Sequence, residues 1–194
     1  MLCVILFNCH GSQIMFQLSK CSEFREIYEC IHIDLNNYIT YEKMIKSELD
    51  NHDLKLIQDA DLLIIQNMRT DRGYLNYENI VKNTKKECVI LKIPHYSSSI
   101  YWFKNDNDIS VETFIQNELI HINNLDEVSD IKIHNFVVNN YKEHQLFHNR
   151  WYPTYFIFYY ITQQILYKIN IDILITPHPN KYIVKSSRCT DITL

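Results

Sequence analysis

Leu2-Cys3-Val4-Ile5-Leu6-Phe7-Asn8-Cys9-His10-Gly11-Ser12 is the stretch that decides the fold. Leu2 to Phe7 are apolar without a break, which is what a strand buried on both faces requires. The run ends at Asn8-Cys9-His10-Gly11, a polar, glycine-containing turn. Beyond it Ile14, Met15 and Leu18 recur at helical spacing, with Ser12 placed to cap the helix. A doubly buried strand feeding a helix through a tight turn is the first unit of an α/β protein.

Working outward, the same unit repeats. Tyr28 to Ile33 reads as a second strand and Tyr41 to Leu49 as a helix with Met44, Ile45 and Leu49 inward. Asp61-Leu62-Leu63-Ile64-Ile65-Gln66 is another buried strand, followed by a polar loop from Asn67 to Gly73. A helix near Tyr77 to Thr84 precedes a fourth strand, Cys88 to Ile93, which Pro94 stops. Right-handed crossovers turn this order into a parallel sheet covered on both sides.

The second half reads as helical. Val111, Ile115, Leu119 and Ile122 share one face of a helix, and Glu127 to Phe147 is a longer, more polar helical segment. Pro153 suits an early helical position before Tyr155 to Ile169, whose apolar positions wrap most of the circumference. A short last strand, Asp172 to Ile175, runs into Thr176-Pro177-His178-Pro179, and the residues around Ser186-Ser187-Arg188 read as a loosely held tail. The expectation is an α/β fold with a mostly parallel central sheet flanked by helices in three layers, Rossmann-like without a dinucleotide fingerprint, and a helical second half. No repeat or linker divides residues 1–194, so they read as one domain, either complete or the N-terminal part of a longer protein.

Composition narrows the function. A hydrophobic fraction of 46% and a charged fraction of 22% belong to an ordinary globular chain. A net charge of -4 argues against generic nucleic-acid binding, which needs a basic surface to displace counterions. No secretory signal and no membrane-spanning run is present, so the expected location is cytoplasmic, or the host cytoplasm for a viral source. Six cysteines at irregular spacing, without an export signal, read as reduced thiols. None forms a CxxC pair or a zinc-type cluster with histidine, so no metal is expected. Glycine and alanine are almost absent, with two glycines and Ala60 alone for alanine, while Asn, Ile, Lys and Tyr abound. An AT-rich genome, as in some large viruses, protists and bacteria, accounts for this bias.

In open α/β sheets ligands bind at the carboxyl ends of the strands. Three such ends carry reactive residues here: Asn8, Cys9, His10 and Gly11 on the first; Gln66, Asn67, Arg69, Asp71 and Arg72 on the third; His95, Tyr96 and Ser97-Ser98-Ser99 on the fourth. Cys9 stands at a helix N-terminus, where the dipole and unpaired N–H groups favour a thiolate over a free cysteine of pKa about 8.5. The same N–H groups suit an oxyanion in acyl transfer, with Asn8 adding a side-chain donor and Gly11 a close backbone approach. Cys9 fits equally a small apolar residue closing the core, and His10 a surface residue. His95 reads as a base or as polar surface, and Arg69 and Arg72 as a phosphate clamp or as partners of Asp71. The aromatic block Trp151 to Tyr160 reads as core or subunit interface, and Tyr155 to Ile169 as a homodimer surface. No GxGxxG, GxxxxGK[ST] or GxSxG occurs, which removes a dinucleotide site, a P-loop and a serine elbow.

Asn8-Cys9, Asp61-Leu62-Leu63-Ile64-Ile65-Gln66, Ile93-Pro94-His95-Tyr96 and Asn149-Arg150-Trp151-Tyr152-Pro153-Thr154 come in an order that resembles the WcbI-type polysaccharide-biosynthesis acetyltransferases. That family opens on Asn-Cys-Gln, ends a strand on Asp-x-x-x-x-Gln, and carries Ile-Pro and Asn-His-Pro-Ser/Thr segments later. The resemblance spans residues 2 to 170. It implies an acetyl-coenzyme A-dependent enzyme acetylating an amino or hydroxyl group of a nucleotide-sugar or glycan acceptor. Asn8, His10, Gly11, Ser12 and Gln66 would then bind the cofactor, with Arg69, Arg72 or Lys92 meeting its phosphates. His10 replaces the family's glutamine and Tyr152 the histidine before Pro153, which leaves the base to His148 or His95. Transfer either passes through a Cys9 thioester or goes directly to the acceptor. A cysteine-dependent ester or thioester hydrolase, and a non-catalytic glycan-binding module, are the competing classes.

Overall fold

A computed structural model describes residues 1–38, 49–67, 75–103 and 109–171. The helix expected over 41–49 falls almost wholly outside these residues. So do the strand at 172–175, the Pro177-His178-Pro179 turn and the tail beyond them.

Four parallel strands form the sheet: β1 (Leu2–Phe7), β2 (Glu29–Asp34), β3 (Leu62–Gln66) and β4 (Val89–Ile93), in the order β2-β1-β3-β4. The α/β expectation holds. β1 and β3 occupy the centre, and their unbroken apolar runs are buried on both faces. Cys3, Ile5, Phe7, Leu62, Ile64, Leu91 and Ile93 face one core, and Val4, Leu6, Leu63 and Ile65 face the other. This period-two split across a doubly covered sheet is why no polar residue interrupts either central strand.

The first core is closed by α1 (His10–Leu18), α2 (Ser22–Ile27), α5 (Val111–Glu127), α6 (His134–Asn140) and α7 (Tyr155–Lys168). The second lies under α3 (Asn51–Asp59) and α4 (Tyr77–Val81). A two-strand antiparallel ribbon, β5 (Phe147–Asn149) with β6 (Tyr152–Pro153), leads into α7.

Three local readings are corrected. Residues 127–147 are not one helix: α5 ends at Glu127, and only the short α6 forms before β5. The buried Asp126 carboxylate makes the break, accepting the N–H of Ile133 at 3.0 Å, the N–H of His134 at 2.6 Å and the Tyr96 hydroxyl at 2.9 Å. A side chain that satisfies the backbone of the next segment ends one helix and starts another. Pro153 pairs in β6, and Thr154 is the residue that precedes α7. Val111 is exposed at the start of α5, so the inward stripe begins at Ile115.

The two ends of the sheet are secured differently. At the amino end, Asp61 accepts the N–H of Leu2 at 2.6 Å and an ammonium hydrogen bond from Lys85 at 2.6 Å. Along the β4 edge, Asp130 exchanges hydrogen bonds with the Lys92 backbone, accepting its N–H at 2.7 Å. The carboxyl end is held by the residues of the candidate site.

Candidate functional site at the carboxyl end of the sheet

Asn8 is the junction from which the site is built. Its N–H donates to Gln66 Oε1 at 3.1 Å, which ties the end of β1 to the end of β3. Its Oδ1 accepts the N–H of His10 at 3.0 Å, and its carbonyl accepts the N–H of Gly11 at 2.8 Å. Asn8 therefore starts α1, in place of the expected Ser12. Ser12 lies inside the first turn and donates its hydroxyl to the Cys9 carbonyl at 2.8 Å. Two of the N–H groups expected to be open for an oxyanion are thus taken. Because Oδ1 is the acceptor, Asn8 Nδ2 is left as a donor without a partner among the described residues.

Cys9 follows at the N-cap of α1, half-buried, with its thiol 3.8 Å from the Tyr152 hydroxyl. His10 is 4% exposed, so it is not the surface residue that was one expectation for it. Its ring stacks on His95, centroids 4.9 Å apart and planes within 10°. Tyr152 and Phe158 meet the same ring edge-on at 5.2 and 5.5 Å. Burial, with His95 adding to it, pulls the His10 imidazole down to about 3, and burial also lowers His95. Both rings are consequently neutral at pH 7 and keep a lone pair for a proton.

Gly11 has a helical backbone, so its lack of a side chain answers a shortage of space and not a turn. A Cβ there would fall 2.5 Å from His32 Cδ2 and 2.8 Å from Phe7 Cβ. The close approach is to a neighbouring imidazole, where the sequence suggested a ligand. His32 pairs with Ile5 in the β1–β2 register, which puts it on the α1 side of the sheet. Its Nε2 lies 3.1 Å from the carbonyls of both Phe7 and Asn8. Carbonyls only accept, so Nε2 carries the hydrogen.

Asn8, Cys9, His10, Gly11, Ser12, Gln66 and His95 are thus brought to one end of the sheet. His148 is exposed on β5, and no hydrogen bond or ring contact joins it to Cys9, His10 or His95. Arg69 and Arg72 lie outside the described residues. Lys92 places its ammonium 4.6 Å over the Tyr77 ring, on the α4 side of the sheet and away from Cys9. Ser98 and Ser99 anchor the loop after β4 through Glu118, whose Oε2 accepts from Ser98 Oγ at 2.9 Å and Ser99 N at 2.7 Å. His32, Phe158 and the contact between Tyr152 and Cys9 were not foreseen, since each depends on register or tertiary approach.

No family model and no curated protein matches the chain. A solved structure similar in fold is that of WcbI, described as a novel polysaccharide biosynthesis enzyme. It was solved as the native protein without a disulfide bond between coenzyme A and one of its cysteines. The TM-score is 0.68, over 87% of this chain and 69% of that chain, at 14% sequence identity. At that identity the likeness is one of fold.

The α7 N-terminus adds one more polar group to this end of the protein. Thr154 is 4% exposed, and among the described residues its hydroxyl has no hydrogen-bond partner and does not cap its own helix. Thr154 and Phe158 lie one turn apart on α7, and Phe158 touches His10, so the first turns of α1 and α7 meet. The Cys9 thiol, the Tyr152 hydroxyl and the stacked imidazoles of His10 and His95 therefore form one connected group where the first turns of α1 and α7 meet. Helix N-termini favour negative charge, as on a tetrahedral oxyanion or a phosphate. Among the described residues no cluster of three His, Cys, Asp or Glu is arranged to hold a metal ion. Nor is any described helix long and apolar enough to cross a membrane.

Proposed function

We propose that the chain is a single-domain acyltransferase that moves an acetyl group from acetyl-coenzyme A onto an amino or hydroxyl group of a sugar in polysaccharide biosynthesis. The observation that carries this reading is Cys9 at the N-cap of α1, its thiol 3.8 Å from the hydroxyl of Tyr152, whose ring meets edge-on the neutral His10 imidazole stacked on His95, with the Asn8 amide donor one residue away. The fold shared with WcbI, a polysaccharide biosynthesis enzyme whose description includes coenzyme A, supports the substrate classes.

Acetyl-coenzyme A supplies an acyl group already activated as a thioester. Cys9 gives its proton to the His95 side of the imidazole pair, and its sulfur forms the new bond to the acyl carbon. Asn8 Nδ2 donates to the oxygen that becomes negative as the carbonyl turns tetrahedral. The imidazole returns the proton to the departing thiol. In the second half it takes a proton from the acceptor as that oxygen or nitrogen attacks the acyl group on Cys9, and hands it back to the Cys9 sulfur. Gln66 and Ser12 hold Asn8 and the Cys9 carbonyl in place. His10 shapes the seat of the thioester, Gly11 lets α1 pack closely on His32 beneath it, Arg69 and Arg72 are assigned to the phosphates, and His148 is the second candidate for the base.

Acetyl-coenzyme A incubated with the protein should leave one acetyl group on Cys9, read by intact-mass spectrometry and peptide mapping, and none on Cys9→Ala. Coenzyme A should bind both proteins in a calorimeter. Failure of coenzyme A to bind at millimolar concentration would overturn the reading. Acetate released from simple esters without coenzyme A would replace it with a hydrolase.

A further inference from the structure

Both tryptophans of the chain leave their rings in water, Trp102 36% and Trp151 55% exposed. They hang from one crossing of two chain segments. The N–H of Ser98 donates to the Arg150 carbonyl at 3.0 Å, and Arg150 Nε donates to Ser99 Oγ at 3.0 Å. The Ser99 carbonyl accepts the N–H of Trp102 at 2.7 Å. Asn149 Oδ1 accepts the N–H groups of Trp151 and Tyr152, at 2.9 and 3.1 Å. Trp151 is thus presented on a turn whose backbone is pinned on both sides. This crossing joins the segment that carries His95 to the one that carries Tyr152, whose hydroxyl meets Cys9.

A rigid, exposed aromatic face next to hydrogen-bond donors suits a ligand with one apolar face and a polar rim. The Arg150 guanidinium carbon lies over one face of the Trp151 ring, 5.4 Å from its centroid, so the opposite face is the one offered to a ligand, and beyond Nε the guanidinium nitrogens have no partner among the described residues. A pyranose has this form: C–H groups across one face, hydroxyls around the edge. We infer that Trp151, with Arg150 beside it and Trp102 across the crossing, is the platform on which a hexose unit of the acceptor rests. The inference builds on the acyl-transfer reading, to which it adds where the acceptor binds and by what chemistry.

The two tryptophans are their own reporters. Trp102→Phe leaves Trp151 as the sole indole, and Trp151→Phe leaves Trp102. Each is titrated with trisaccharides of glucose, galactose, mannose and N-acetylglucosamine, and with adenosine diphosphate. At least one trisaccharide should shift Trp151 emission saturably, and Trp151→Ala should weaken its binding about tenfold or more, by calorimetry. Trp151→Phe, which keeps an aromatic face, should retain most of the affinity. The platform is overturned if no trisaccharide at tens of millimolar moves either emission, if Trp151→Ala binds as the wild type does, or if adenosine diphosphate alone produces the shift. Coenzyme A binding to the same samples separates the two ideas. Saccharide binding without coenzyme A binding keeps the platform and removes the acyl donor, and the reverse keeps the donor and removes the platform.

Discussion

Replacing Gly11 by alanine sets two effects of opposite sign against each other. Gly11 is the second residue of α1, where alanine is favoured over glycine by at most about 1 kcal/mol. Against that, the new Cβ would sit 2.5 Å from His32 Cδ2 and 2.8 Å from Phe7 Cβ, distances that force something to move. Overpacking of a tight site costs about 1–3 kcal/mol. Moving His32 also breaks its hydrogen bonds to the Phe7 and Asn8 carbonyls, for about another 1 kcal/mol. The clash wins, and Gly11→Ala should be less stable by about 1–3 kcal/mol in urea unfolding with an unchanged slope. His32→Ala removes the ring, so adding Gly11→Ala to it should cost about 1 kcal/mol less than in the wild type. A Gly11→Ala protein as stable as the parent, or an effect independent of residue 32, would refute the close approach.

Thr154→Val replaces an unpartnered buried hydroxyl by a methyl of similar shape, and should leave stability unchanged or raise it by about 1 kcal/mol in the same assay. Asp126→Ala strips a carboxylate from the Tyr96 hydroxyl and from the N–H groups of Ile133 and His134, and should cost about 3 kcal/mol or more in urea midpoint analysis. His10 is held below its unfolded pKa of 6.5, so the unfolded chain binds a proton that the folded one refuses. Its contribution is complete above pH 6.5 and is lost as pH falls toward about 3, at a slope of about 1.4 kcal/mol per pH unit. Unfolding followed from pH 7 to 4 should show this slope, and His10→Gln should flatten it. Asn8→Asp keeps the acceptor that starts α1 but removes the Nδ2 donor, so it should fold normally by circular dichroism while acyl transfer to Cys9 slows about a hundredfold.

The sheet was legible because central parallel strands must be apolar on both faces, and Leu2–Phe7 and Leu62–Ile65 have no polar residue. The placement of Cys9 at a helix start followed from the same run ending at Asn8. Side-chain-to-backbone bonding was not legible. Asp126, a residue that solvates well anywhere, ends α5 only because two N–H groups and a tyrosine reach it in the fold. Nor did the spacing show that Asn8 would outcompete Ser12 at the start of α1, since both residue types cap equally well. His32 reaches Gly11 through strand register, and Tyr152 reaches Cys9 across most of the chain length. The tyrosine was visible as a departure from a histidine pattern, but its position at the sulfur was not.

Asn8 also has a consequence for how the protein would respond to a ligand. One residue joins β1 to β3 through Gln66, starts α1, and shares its carbonyl between Gly11 and His32. A molecule that engages its free amide group in the bound state therefore tightens the junction from which four elements depart. Amide hydrogens at Asn8, His10 and Gly11 should then exchange with deuterated solvent more slowly when the site is filled, with the effect reaching Asn67, whose N–H donates to the Ile93 carbonyl. The protection pattern would trace the occupied end of the sheet before any ligand had been seen there.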